Sequence, residues 1–263
     1  MKIAIIGAGN IGGAMAKGLL VKSVIAPSDL TLTTAHKETL QKYADLRCNL
    51  TLDDNEAIQE ADIIVIAVKP WKVAEVVRNL KDAIDYTKQI VVCIVAGVPS
   101  AELLPEFDKE DGSKVRLVYA MPNTAIEIGE SVTFLTNVSA TADDMLYLRK
   151  LYDQLGYTLK VEERLLQAGT SLASCGIAYA MRYARAATLG GVQLGFKSQD
   201  ALEIVEQTVI GAMKLLIAHD SHPEAEIDTV TTPGGITING LIAMEDAGFT
   251  TAVINGLKAA KFQ

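Results

Sequence analysis

Residues 3–15, IAIIGAGNIGGAM, carry the clearest structural signal in the chain. An apolar, β-branched run leads directly into Gly7, Gly9 and Gly12, spaced G-x-G-x-x-G, and then into a helical pattern. In such a strand–turn–helix the glycines allow a tight turn, close approach of a pyrophosphate, and close packing of helix on strand. The helix N-terminus offers free N–H groups to the phosphates. The stretch predicts a dinucleotide-binding loop formed by Gly7, Gly9, Asn10, Ile11 and Gly12.

Strand-like and helix-like segments alternate from this loop to about residue 160. Runs such as DIIVIAV (62–68), QIVVCIVA (89–96) and RLVYA (116–120) are apolar on both faces, as a parallel sheet covered by helices requires. After residue 160 the strand signals stop, and segments rich in Ala, Leu and Gly indicate helices. We therefore expect an α/β protein. A Rossmann-type, doubly wound parallel sheet should occupy residues 1–160, and an all-α domain residues 161–263.

Small residues dominate the stretch SLASCGIAYAMRYARAATLGG (171–191) of the helical domain. They let helices approach closely but leave little side-chain surface to bury, and about a hundred helical residues bury only part of their apolar surface alone. The sequence therefore predicts a homodimer formed through this domain.

Composition excludes several classes of function. The net charge is −8 and no basic run occurs, which argues against nucleic acid as a partner. Apolar runs such as residues 63–68 are too short to span a bilayer, and glycines interrupt the N-terminal one, so neither a membrane segment nor a signal peptide is expected. Three widely spaced cysteines indicate reduced thiols and a cytoplasmic protein. His219 and His222 lack a third ligand cluster, so no metal is expected.

The residues after the second strand bear on the choice of cofactor. An acidic side chain there would bind the ribose hydroxyl of NAD. The sequence instead has TLTTAHKETL (31–40), where Thr33, Thr34 and Lys37 offer hydroxyl groups and a cation and no acidic residue precedes Glu38. This pattern favours NADP, with NAD as the alternative.

Other strand ends supply further candidate contacts, because ligands of open parallel sheets bind beyond the carboxyl ends of the strands. Lys69 precedes Pro70 at an expected helix start. A cation is unfavourable at this positive end of the helix dipole, which indicates that an anion faces Lys69. Pro122 holds its predecessor extended, so that Asn123 could present its amide to a nicotinamide ring or a ribose. The predicted cofactor contacts outside the first loop are Thr33, Thr34, Ala67, Val68, Lys69, Pro70, Ala96, Gly97 and Asn123.

A second anion-binding loop is predicted within TTPGGITING (231–240). Thr232 is expected to cap a helix and Pro233 to occupy its first position, while Gly234 and Gly235 leave backbone N–H groups uncovered. Two adjacent glycines would destabilise an ordinary first turn. A small carboxylate suits such a site.

In the order in which they occur, these motifs resemble the pyrroline-5-carboxylate reductase family. The matching segments are IIGAGNIG, AVKPW, VAGVPS, AMPNT, QTVIGAMKLL, HPEAEIDTVTTPGGITINGL and MEDAGFTTAVINGLKAA. The resemblance implies NAD(P)H-dependent reduction of the cyclic imine 1-pyrroline-5-carboxylate to L-proline, by hydride transfer to the imine carbon. It also implies an interlocked homodimer, with a ring of dimers as a further possibility. By motif match the substrate contacts are Thr232, Gly234, Gly235 and Thr237, with Thr237 near the imine ring as catalytic residue. Outside this motif match, Asp220 is a candidate acid to stabilise the charge of the ring.

The chain departs from the family pattern at several positions. Tyr119 stands where the family usually has Arg, Ala125 where it has Pro, Ile236 where it has Thr, and ASCGIAY (173–179) replaces the usual Ser-Gly-Ser-x-Pro-Ala-Tyr. Three alternatives therefore stay open. One is a paralogue that binds NADP and a carboxylate as a sensor or partner subunit without turnover. Another is a reductase for a related cyclic imino acid with a six-membered ring. The third, a β-hydroxy-acid dehydrogenase, would need a helical-domain lysine with a supporting motif, which is missing.

Overall fold

The structure is a computed structural model that describes residues 1–260, and its contacts divide the described chain into compact units of residues 1–174 and 175–260. The first unit contains an eight-stranded sheet with the strand order β3-β2-β1-β4-β5-β6-β7-β8. The strands are Ile3–Ile6 (β1), Leu30–Thr33 (β2), Asn49–Thr51 (β3), Ile63–Ile66 (β4), Ile90–Cys93 (β5), Arg116–Met121 (β6), Ser131–Asn137 (β7) and Gly156–Lys160 (β8).

Helices cover both faces of this sheet, as the apolar strands predict. They are Asn10–Val21 (α1), Lys37–Gln41 (α2), Asp54–Ile58 (α3), Val73–Leu80 (α4), Ser100–Leu103 (α5), Ala142–Tyr152 (α6) and Leu166–Gly169 (α7). Helices α1 and α6 pack on one face, and α3, α4 and α5 pack on the other. The predicted Rossmann-type α/β fold is confirmed.

Two strands, β7 and β8, run against the expected direction. β7 pairs with β6 in antiparallel register, with Met121 opposite Phe134, while every other pairing is parallel. The connection from β6 to β7 is residues 122–130, which form a short 3₁₀ helix at Thr124–Ile128. A parallel crossover needs a dozen or more residues, so a connection of this length returns the chain antiparallel.

The second unit consists of helices only, as predicted: Cys175–Gln193 (α8), Ser198–His219 (α9), Pro223–Thr229 (α10), Ile236–Asp246 (α11) and Phe249–Ala259 (α12). α8 continues a helical run that begins at Glu163 and passes through α7 and a π-helical turn at Thr170–Ser174. The domain boundary at residues 160/161 stays a prediction, and residues 261–263 lie outside the described part.

The described second unit has almost no interior of its own. Only Thr188 and Ala201 are buried in its five helices. Exposed apolar side chains such as Met181, Phe249 and Val253 occur along these helices. No helix in residues 1–260 is long and apolar enough to cross a membrane.

Candidate functional site

The first glycine loop has the geometry that its sequence predicts. Gly7 has φ +107°, and a Cβ atom at this position would lie 2.8 Å from the carbonyl oxygen of Ala67. A Cβ on Gly12 would collide with the carbonyl oxygen of Gly7. A Cβ on Gly9, in contrast, would meet nothing within 4 Å. The absence of a side chain at Gly9 therefore serves no contact inside the protein and leaves the backbone open to a ligand.

The backbone donors of this loop fit a phosphate group. The N–H groups of Gly7 and Ala8 donate to the carbonyl oxygen of Thr33, at 3.1 and 2.7 Å, which fixes the turn against β2. Gly9 is the N-cap of α1, and no side chain caps this helix. The first-turn N–H groups, at Asn10, Ile11 and Gly12, lack intrahelical acceptors. A pyrophosphate would satisfy them and would face the positive end of the helix dipole.

The sheet brings all the predicted cofactor contacts to one edge of the first unit. The ends of β2, β1, β4, β5 and β6 are neighbours in the strand order, and the predicted contacts follow these five strands. The loop after β4 lies against the glycine loop, since the Ala67 carbonyl and the Val68 side chain adjoin Gly7. Pro70 begins a 3₁₀ turn, Pro70–Lys72, and Lys69 precedes it with an exposed side chain. Ala96 and Gly97 form a turn in which Gly97 has φ +79°.

Two of these residues have their side chains engaged inside the protein. Thr33 is fully buried, and its hydroxyl donates to Asp54 Oδ1 at 2.5 Å. The pKa of Asp54 is raised because the carboxyl group is partly buried. Asn123 is also buried, with its Oδ1 accepting from Ala125 N–H at 3.1 Å and its Nδ2 donating to the Ala173 carbonyl at 3.3 Å. Of the two predicted threonines, Thr34 is the one whose side chain is partly exposed.

Two aromatic residues near the glycine loop were missed in the sequence. The Tyr43 hydroxyl lies 3.4 Å from the carbonyl oxygens of both Ala8 and Gly9. The indole of Trp71 is 76% exposed in the loop that also carries Lys69 and Pro70. Tyr43 had no local signal because more than thirty residues separate it from the loop, whereas an aromatic residue two positions after the strand-end lysine could have been noted.

The second glycine loop differs from its prediction. Gly235 N–H donates to the Thr232 carbonyl at 2.9 Å and Gly234 has φ +68°, so Thr232–Gly235 form a turn of type II with Pro233 at its second position. Helix α11 begins at Ile236, with Gly235 as its N-cap and no side-chain cap. The predicted capping by Thr232 and the placement of Pro233 inside the helix are wrong. The prediction that the Gly235 N–H is uncovered is also wrong, because this N–H closes the turn. Gly234 instead occupies the third position of the turn, and Gly235 closes the turn and is the N-cap of α11.

A helix N-terminus nevertheless lies at the predicted substrate loop, because α11 begins at Ile236. Thr237 is the second residue of α11 and is exposed. The N–H groups of the first turn of α11 have no capping side chain, which suits a carboxylate. Ile236, where the family usually has threonine, is 91% exposed.

Asp220 ends helix α9 in a left-handed conformation, with φ 47° and ψ 42°. Its side chain is exposed, as are those of Thr232 and Thr237. All five predicted substrate contacts belong to the second unit. Within residues 1–260 no group of three or more potential metal ligands occurs.

Tyr119, where the family usually has arginine, is buried in the first unit. Its hydroxyl has no hydrogen-bond partner among the described residues, and burial raises its pKa. It lines a cavity of about 270 Å³ together with Gly97, Met121 and Glu163, and the Glu163 carboxylate is held by Ser100.

Comparison with known proteins places this geometry in a family. The family model for pyrroline-5-carboxylate reductase dimerisation matches residues 163–262, and the model for NADP oxidoreductase, coenzyme F420-dependent, matches residues 2–97. Pyrroline-5-carboxylate reductase 2 of Dictyostelium discoideum is 33% identical over 97% of this chain and 89% of its own length. The chain belongs to the pyrroline-5-carboxylate reductase family. The reductase of Methanosarcina acetivorans is 31% identical over 97% of the chain and 94% of the relative.

Other reductases of the family add to this assignment. Reductase 1 of Dictyostelium discoideum is 33% identical over 97% of this chain, which spans 48% of that relative. The crystal structure of the Plasmodium falciparum reductase with NADP bound has a TM-score of 0.88 and 25% identity, covering 99% of this chain and 95% of the other. The predicted family, reductase class and NADP cofactor are confirmed, and the dimerisation match supports the predicted homodimer.

Proposed function

We propose that the protein reduces 1-pyrroline-5-carboxylate to L-proline, with the cofactor bound by the first unit and the substrate carboxylate by the second. The observation that carries the proposal is the pair of uncapped helix N-termini, each preceded by a glycine turn. The turn at Gly7–Gly9 opens α1, and the turn at Gly234–Gly235 opens α11. Each presents backbone N–H groups to an anion, and the reaction has two anionic partners, a dinucleotide and an amino-acid-like carboxylate.

The cofactor side of the proposal rests on the open space at Gly9. A pyrophosphate would take the N–H groups of Asn10, Ile11 and Gly12, while Thr34 and Lys37 offer a hydroxyl and a cation for a 2′-phosphate. Thr33 would act through its backbone carbonyl, which holds the turn. Reduced NADP supplies the hydride, and the protein positions and desolvates the reactants.

The substrate side assigns separate roles to the second loop and to Asp220. The N–H groups in the first turn of α11 would bind the carboxylate, with Thr232, Gly234 and Gly235 forming the turn that lines the site. The hydroxyl of Thr237 would hydrogen-bond the ring nitrogen, and the carboxylate of Asp220 would stabilise the positive charge of the protonated imine. Because the nitrogen of the imine is already protonated, its carbon is electrophilic, and hydride addition gives the ring amine without a further proton transfer.

Assembly and location complete the proposal. The homodimer would form through the second unit, whose apolar side chains are not buried within the unit itself. Dimers would assemble further into a ring. The described cysteines are unpaired, which suits a reducing cytoplasm. No role is proposed for a metal, a nucleic acid or a membrane.

The decisive measurement is proline formation from pyrroline-5-carboxylate, followed together with NADPH oxidation. Steady turnover with stoichiometric proline is the expected result. NADPH binding without oxidation would favour the alternative of a sensor or partner subunit. A parallel assay with the six-membered imine, piperideine carboxylate, tests which ring size the enzyme prefers. A higher kcat/KM with that compound would identify it, and not pyrroline-5-carboxylate, as the substrate.

Thr237→Ala tests the substrate assignment. We expect kcat/KM for pyrroline-5-carboxylate to fall about tenfold to a hundredfold, because a hydrogen bond made to the reacting ring is lost. The Kd for NADPH, measured by fluorescence, should not change. Thr251→Ala, at an exposed threonine of α12, is the matched control. An equal loss of NADPH affinity in Thr237→Ala would contradict the assignment.

A further inference from the structure

The residues on either side of Asp220 are both bound by one carboxylate. His219 Nδ1 lies 3.1 Å from Glu226 Oε1 and 3.1 Å from Glu226 Oε2. The Ser221 hydroxyl donates to Glu226 Oε1 in a short hydrogen bond. Glu226 therefore spans the corner between α9 and α10, and Asp220 is the single residue between its two partners.

This corner has few other constraints. Asp220 has φ 47°, in the left-handed region, which costs residues other than glycine free energy and which Asp enters more readily than most of them. Its own N–H makes only a long bond, 3.4 Å, to the Ile217 carbonyl. The left-handed backbone of Asp220 therefore depends on contacts made by its neighbours.

Glu226 is well placed to supply those contacts. Helix α10 begins at Pro223, and the His222 ring caps it by accepting the N–H of Glu224 at 3.2 Å. Glu226 follows in the first turn of this helix, with its side chain only 23% exposed. Hydrogen bonds from Ser221 and then from His219 hold the pKa of Glu226 below its ordinary value. Its carboxylate is thus an ionised acceptor fixed to a capped helix.

We propose that Glu226 is a positioning residue of the reductase, which aims the Asp220 carboxylate at the substrate by fixing His219 and Ser221 on either side of it. The inference rests on the proposed role of Asp220. Without the Glu226 carboxylate, Asp220 relaxes toward the commoner backbone regions and its side chain leaves the direction needed for the imine charge. The effect is therefore on reduction of pyrroline-5-carboxylate and not on cofactor binding, whose predicted residues all lie in the first unit.

The test is a double-mutant cycle between Glu226 and Asp220 in the full-length protein. Glu226→Ala should lower kcat/KM for pyrroline-5-carboxylate about tenfold, with an unchanged Kd for NADPH. Glu226→Gln, which keeps an acceptor oxygen, should recover part of the loss. In the Asp220→Asn background, Glu226→Ala should have no further effect, because the carboxylate that it aims is gone. Glu224→Ala removes the same charge from the same turn of α10 and should behave as wild type.

Three results would overturn the inference. One is wild-type kcat/KM in Glu226→Ala alongside an impaired Asp220→Asn, which would leave the role of Asp220 standing. Another is a full additional loss from Glu226→Ala in the Asp220→Asn background, which would show general damage to the corner. The third is wild-type kinetics in Asp220→Asn itself, which would remove the proposed role of Asp220 as well. If Glu226→Ala does not fold, the same cycle with Glu226→Gln gives the answer.

Discussion

At the scale of single residues, the three glycines of the first loop should respond differently to substitution. Gly9→Val places its side chain in open space with an ordinary φ of −80°, so the fold should lose at most about 1 kcal/mol through the weaker N-cap. The same side chain covers the N–H groups that face the pyrophosphate. We expect the Kd for NADPH to rise at least about tenfold, the scale of a lost charge-assisted contact.

Gly12→Ala, in contrast, should lower the stability of the fold. Its methyl group would press against the Gly7 carbonyl, a backbone atom that cannot move aside, so unfolding should become easier by about 1–3 kcal/mol. Thermal unfolding and NADPH titration of both variants check the contrast. A folded Gly9→Val protein with wild-type affinity for NADPH would contradict our interpretation of the loop.

The sequence predicts these backbone roles better than it predicts side-chain roles. A glycine motif after a strand has few structural solutions, and the structure has the one expected. Thr33 and Asn123 stand at the predicted strand ends, yet their side chains bind Asp54, Ala125 and Ala173. Asp54 lies 21 residues from Thr33, and Ala173 lies 50 residues from Asn123. Partners so distant along the chain leave no periodic signal, and the two side chains are therefore interpreted as available to a ligand.

At the scale of secondary-structure elements, α6 is held by a charged residue at its start. Asp144 accepts from Thr141 N–H at 2.9 Å while its own N–H donates to Thr141 Oγ1 at 3.1 Å, a reciprocal capping box. Asp144 also pairs with Arg116 of β6, whose Nε donates at 2.9 Å. The hydrogen bond from Arg116 lowers the pKa of Asp144 below its ordinary value of 3.8, because the guanidinium compensates the charge of the carboxylate. This effect outweighs burial, which acts in the opposite direction.

Asp144→Asn should therefore destabilise the first unit at neutral pH. Loss of the charge leaves Arg116 without its partner, and we expect a cost of roughly 3 kcal/mol, or about 5–10 °C in the unfolding midpoint. Because the folded pKa is depressed, the stabilisation by Asp144 is complete above 3.8 and is lost as the pH falls through the folded value. The difference between wild type and variant should shrink in the same window. Asp143→Asn, an exposed neighbour, is the control, and a pH-independent difference would contradict the ionic origin.

Element directions and ends show where local patterns suffice and where they fail. Strands β1, β2, β4, β5, β6 and β7 are visible in the sequence as apolar or β-branched runs, whereas β3 has only three residues, Asn49–Thr51. The direction of β7 follows from the length of its connection, not from its own composition. At the second loop, Thr-Pro is a sequence pattern that commonly begins a helix. Pro233 and Gly234 also fit the central positions of a type II turn, and the structure has the turn.

At the scale of the whole molecule, the lack of a buried core in the second unit is the main indication that the protein is oligomeric. Five helices with two buried residues cannot be stable through their own packing. Within this unit an apolar cavity of about 540 Å³ is lined by the side chains of Tyr179, Tyr183, Met244, Phe249 and Val253, among others. The family match for dimerisation over residues 163–262 supports a second copy of the chain as the partner of this unit. We expect that copy to cover the exposed apolar side chains.

Phe249→Asp combined with Val253→Asp should therefore convert the dimer to a monomer. Two carboxylates on an apolar interface would each lose hydration without a partner, at a cost of several kcal/mol per charge, which exceeds what most interfaces can absorb. Light scattering after size exclusion should show the mass of a single chain, 28.1 kDa, at micromolar concentration. Leu52→Asp, at an exposed leucine of the first unit, should remain dimeric. A dimeric double variant would place the interface elsewhere, whereas a wild-type mass that is a multiple of the dimer would support the proposed ring.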